Sequence, residues 1–74
     1  MLPGVVAGPL ANLYGTIVTV YVVVGGTNTI VYKDSVAVSA SASNHYGISV
    51  ILQEGDTISL SQTNGVTWVW WRGG

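Results

Sequence analysis

Thr16-Ile17-Val18-Thr19-Val20-Tyr21-Val22-Val23-Val24 is the stretch on which the reading of this chain turns. The two-residue alternation of a β-strand puts Val18, Val20, Val22 and Val24 on one face and Ile17, Tyr21 and Val23 on the other. β-Branched and aromatic side chains fit a pleated backbone, and two apolar faces imply a strand covered on both sides.

Beyond this strand, Gly25-Gly26-Thr27-Asn28 is a turn signal and predicts a hairpin that returns as a second strand from Thr29 to Lys33. Ser35 to Ala42 alternates next, with Val36, Val38, Ala40 and Ala42 opposed to Ser35, Ala37, Ser39 and Ser41. Ser43 to Gly47 reads as a loop, Ile48 to Leu52 as a strand, Gln53 to Asp56 as a turn and Thr57 to Thr63 as a further strand. Asn64-Gly65 predicts a type I′ hairpin turn, because both residues tolerate positive φ, and it leads into a last strand from Val66 to Arg72. About six strands with no room for a helix predict an all-β fold, a small antiparallel sandwich or partly open barrel, as one domain over residues 15–74.

Residues 1–14 read differently. Pro3, Gly4, Gly8 and Pro9 interrupt any regular element, yet Leu2, Val5, Val6, Leu10 and Leu13 are too apolar for a solvated tail. Two readings satisfy both facts: an extended N-terminal arm that docks on a partner through those five side chains, or an irregular segment folded back over its own sheet. The first expects a domain that survives removal of the arm.

Composition bounds the function. A chain of 74 residues forms one domain and buries only about 60% of its unfolded surface, so it calls for a staple. With no cysteine, one histidine and three carboxylates, no disulfide, metal centre or cofactor is expected, and oligomerisation or docking on a partner takes that role. Lys33 and Arg72 are the only basic side chains and the net charge is −1, which excludes the electrostatics of nucleic-acid binding. No apolar run approaches the roughly 20 residues of a membrane-spanning helix, and the amino terminus does not read as a signal peptide. His45, with Ser41, Ser43, Asp34 and Asp56 as conceivable partners, lacks any catalytic motif, so no enzyme is expected.

The last strand holds all three tryptophans. Alternation sets Val66, Trp68, Trp70 and Arg72 against Thr67, Val69 and Trp71, so each face carries an indole. One face is expected in the subunit core and the other in a subunit interface, and Tyr21, Trp68, Trp70 and Trp71 are the candidate interface residues. The competing reading is an aromatic platform that stacks a sugar ring.

Ile48-Ser49-Val50-Ile51-Leu52-Gln53-Glu54-Gly55-Asp56-Thr57-Ile58-Ser59-Leu60 resembles the strand, Gly-Asp turn, strand element of trimeric jelly-roll heads of the C1q and tumour necrosis factor type. As a whole, a cysteine-free, charge-poor, Val/Ser/Thr-rich β-domain with an apolar arm is similar in type to small decoration, or cement, proteins of tailed bacteriophages. That resemblance implies a homotrimer on the outer capsid surface of a virion, bound to the major capsid protein and stabilising it. The alternative it leaves is the receptor- or glycan-binding tip of a phage fibre.

Overall fold

β2 (Val18–Val24) is the middle strand of a three-stranded antiparallel sheet, between β5 (Tyr46–Leu52) and β7 (Val66–Arg72), in the computed structural model, which describes residues 4–39 and 45–73. Val18, Val20, Val22 and Val24 are fully buried, as the alternation requires, while Tyr21 and Val23 face outward. A second, four-stranded antiparallel sheet covers that buried face, in the order β1 (Leu10–Ala11), β6 (Thr57–Leu60), β3 (Val31–Lys33) and β4 (Val36–Ala37). The molecule is a small all-β sandwich, without a helix among the described residues. Val31, Ile58 and Leu60 meet Val50, Leu52, Val66 and Trp70 between the sheets.

The path of the chain differs from the succession of hairpins read in the sequence. Gly25-Gly26 does not fold β3 back onto β2, because β3 pairs with β4 and β6 in the other sheet. Asn64-Gly65 likewise joins β6 to β7 across the sandwich, and of the two only Gly65 has positive φ, at 70°. Both signals mark real changes of direction, but which strand comes next in space is decided by burial of apolar faces between layers. The hairpin in this fold is β3–β4, turned by Asp34 and Ser35 with φ of 51° and 67°, the two positive values that a two-residue type I′ turn needs. Asp34 and Ser35 carry less of that signal than Asn-Gly, and so went unread.

The long alternation from Ser35 contributes only the two residues of β4, and Val36 and Val38 are exposed rather than inward. Ala40, Ser41, Ala42, Ser43 and Asn44 lie outside the described residues, whereas Tyr46 and Gly47, expected in a loop, open β5.

Residues 5–14 run along their own sheet. Leu10 and Ala11 pair with Ile58 and Thr57, Leu60 N donates to Ala7 O at 2.8 Å, and Val5, Leu10 and Tyr14 pack against the core. Gly8 is required here: a Cβ would stand 2.7 Å from Ile58 O and 2.9 Å from Leu10 N, and its φ of +80° is one that L side chains rarely adopt. Asn12 is fully buried, and its Nδ2 donates to Leu52 O and Thr16 O, both at 2.9 Å. It also exchanges backbone bonds with the β5–β6 turn, Asn12 N donating to Asp56 O and Gly55 N to Asn12 O. A buried amide with these partners ties the first segment to both sheets.

Candidate interaction surface

The residues singled out in the sequence part into two groups. Trp70 is 3% exposed and belongs to the core, which removes it from the candidate interface; Trp68 lies half-buried beside it, at 5.6 Å between ring centroids in an edge-on arrangement. Tyr14 meets Trp70 at 6.1 Å from the other side, and the Arg72 guanidinium lies over the Tyr14 ring at 5.8 Å. Indole, phenol and guanidinium thus close one flank of the sandwich from within the chain. An apolar cleft of about 240 Å³ lies on this flank, lined by Leu10, Ala11, Leu13, Tyr14 and Trp70. Of the arm residues, Val5 and Leu10 are turned into the chain's own core, Val6 and Leu13 are exposed, and Leu2 lies outside the described residues.

Tyr21 and Trp71 are brought together with others on the outer face of the β5–β2–β7 sheet. The registers Thr19↔Ile51 and Thr19↔Trp71, Tyr21↔Ser49 and Tyr21↔Val69, and Val23↔Gly47 and Val23↔Thr67 lay out this face in three rows. None of the nine residues on this face is charged. Ile51 and Trp71 are 55% and 51% exposed, and Val69, Tyr21 and Val23 are exposed as well. Tyr21 leans across Gly47, so that a Cβ on that glycine would lie 2.7 Å from the Tyr21 Cζ. Gly47 therefore makes room for the phenol ring to reach over the neighbouring strand. Ile51 and Val69 were not among the candidates read from the last strand, although the alternation in Ile48 to Leu52 places Ile51 on the outside.

The polar side chains are engaged elsewhere. At one end of the sandwich Gln62 Nε2 donates to the Thr27 and Thr29 hydroxyls, Thr27 Oγ1 donates to Asn64 O at 2.8 Å, and the Tyr46 hydroxyl donates to Thr29 O at 2.6 Å. At the other end the carboxylates hold turns: Gln53 N donates to Asp56 Oδ2, Thr57 N to Asp34 Oδ1 and Gly15 N to Glu54 Oε1. His45 precedes β5 while Asp56 follows it, so the seven-residue strand keeps them about 20 Å apart at 3.3 Å per residue. The grouping of His45 with Asp34 and Asp56 is not formed. Among the described residues no set of three His, Asp or Glu side chains is arranged to hold a metal ion.

Comparison with known proteins yields no matching family model, no matching curated protein and no matching solved structure.

Proposed function

We propose that this chain is a non-enzymatic structural protein that assembles with copies of itself through the β5–β2–β7 sheet and serves as a decoration protein on the outer capsid surface of a phage particle, docked on the major capsid protein. The observation that carries the reading is the outer face of that sheet: free of charge, and carrying Tyr21, Ile51, Val69 and Trp71 side by side. Soluble monomers rarely expose contiguous apolar patches without a partner for them. Aromatic anchors and the lack of charge on this face also match the composition of interface centres. Small size, lack of cysteine and scarcity of charge support the capsid assignment, being the traits shared with cement proteins.

Two measurements test the two halves. Native mass spectrometry of the purified chain should show an oligomer at micromolar concentration, and a monomer overturns self-assembly. Quantitative proteomics of purified virions should find hundreds of copies per particle; a few dozen or fewer would transfer the protein to a fibre, and none would remove it from the virion.

A further inference from the structure

The three-stranded sheet ends on one side in β5, and the direction of its backbone groups follows from the neighbouring ladder. Gly25 N donates to Gly65 O at 2.7 Å and Gly73 N to Ile17 O at 2.7 Å, one bond just beyond each end of the β2–β7 pairing. Hydrogen-bonded pairs alternate along an antiparallel ladder, so the odd-numbered residues of β2 bond β7 and the even-numbered ones bond β5. Tyr46, Ile48, Val50 and Leu52 therefore turn their N–H and C=O groups toward β2. Gly47, Ser49 and Ile51 turn theirs outward, where no described residue meets them.

The four sheet edges are not alike. β1 and β4 are two residues long, too short to template a partner. β7 carries the Arg72 charge at its end, and Val66 N is already engaged with Thr63 O. β5 is seven residues long, Tyr-Gly-Ile-Ser-Val-Ile-Leu, with no charge and no proline. It is long and carries neither charge nor proline, and none of the described residues covers it.

We propose that β5 pairs antiparallel with β5 of a second copy about a two-fold axis through Ser49, giving a continuous six-stranded sheet across the dimer. The sequence of the edge is self-complementary in this register. Ser49 meets its own copy, and Gly47, which has no side chain, meets Ile51, which is 55% exposed. The Tyr21 ring that lies over Gly47 then packs against the partner's Ile51, the arrangement by which an aromatic ring compensates a strand glycine. Three pairs of outward-facing residues, each exchanging two bonds, supply about six backbone hydrogen bonds. An isologous contact of this kind closes at two copies, so the unit of assembly is a dimer in place of the trimer expected from sequence. The inference rests on the self-assembly proposed above and specifies its geometry.

The test uses the full chain and four variants, read by sedimentation velocity from 1 to 100 µM with circular dichroism as the fold control. Ser49→Pro deletes an outward N–H that bonds nothing within the protomer, a place where an edge strand tolerates proline. Ser49→Lys and Ser49→Asp place like charges on the axis. Val69→Lys charges the outer face two strands away from the edge. The expected result is a wild-type dimer, at least a tenfold weaker dimer for Ser49→Pro and for each Ser49 charge variant alone, and recovery of dimer on mixing the lysine and aspartate forms. Val69→Lys should leave this dimer in place. If Ser49→Pro folds and associates like wild type, or if mixing restores nothing, the pairing is overturned. Loss of all association on Val69→Lys with none on Ser49→Pro would overturn edge pairing while leaving face-mediated assembly standing, and a wild-type monomer overturns both.

Discussion

The two sheets of this sandwich share one core but present opposite exteriors. The four-stranded sheet turns Thr57, Ser59 and Tyr32 outward, is bordered by two-residue strands at both edges, and has Lys33, Asp34 and Asp56 at one end. Lys33 Nζ lies 3.8 Å from Asp56 Oδ2, a pair exposed enough to contribute little. The three-stranded sheet has three seven-residue strands, an outer face without charge, and a long edge with unused backbone groups. Water suits the first surface. The second leaves Tyr21, Ile51, Val69 and Trp71 exposed, and on the function proposed above binding resides in that layer and closure of the fold in the other.

If the first segment belongs to the closing layer, its loss should have the largest effect of any change. Deleting residues 1–13 removes β1, the packing of Val5 and Leu10, and every bond made by Asn12. A domain of this size holds only about 4–11 kcal/mol in total, so the deletion should abolish cooperative unfolding and the β-type circular dichroism spectrum. A folded remnant would make the segment an accessory of the sheet, as an arm would be. Asn12→Ala is the single-residue form of this test and should cost about 2–4 kcal/mol in urea unfolding, since it leaves Thr16 O and one lone pair of Leu52 O without their donor.

Neighbouring tryptophans separate the two roles within one strand. Trp70→Ala empties core volume between the sheets and should lower stability by about 3–5 kcal/mol. Trp71→Ala, one residue on and facing outward, should change monomer stability by less than about 1 kcal/mol and leave the β5-edge dimer in place, while weakening the docking of a partner on the outer face at least about tenfold. Equal stability losses for the two would mean that the outer face is as closed as the inner one.

What could be read in the sequence follows from range. The alternation of β2 and β7 records which side each residue faces, a local property, and the buried valines and the inward Trp70 obey it. Pairing is not local. Every connection except β3–β4 passes from one sheet to the other, and Gly25-Gly26 or Asn64-Gly65 reports a bend without naming the strand that follows. Asn12 gives no sign in one dimension either, since its acceptor at Leu52 is 40 residues away. The exposed face was half legible: Tyr21 and Trp71 stood out as aromatics, while Ile51 and Val69 join them only once β5 and β7 flank β2.

The β3–β4 turn offers the smallest test. Replacing Asp34-Ser35 by Asn-Gly puts asparagine, which tolerates positive φ, and glycine at the two positive-φ positions, and gives up only the charge on the acceptor that Thr57 N meets at Asp34 Oδ1. Asparagine offers the same acceptor, so a net gain of about 0.5–1 kcal/mol is expected, with no effect on association because the turn lies in the closing layer.

Residue-resolved dilution tests the division between the layers most directly. In amide NMR spectra recorded from about 500 to 5 µM, dissociation should move the resonances of Tyr21, Gly47, Ser49 and Ile51 while those of Tyr32, Thr57 and Ser59 stay in place. Shifts centred on Tyr32, Thr57 and Ser59, or spectra that do not change with concentration at all, would contradict the assignment of association to the β5–β2–β7 sheet.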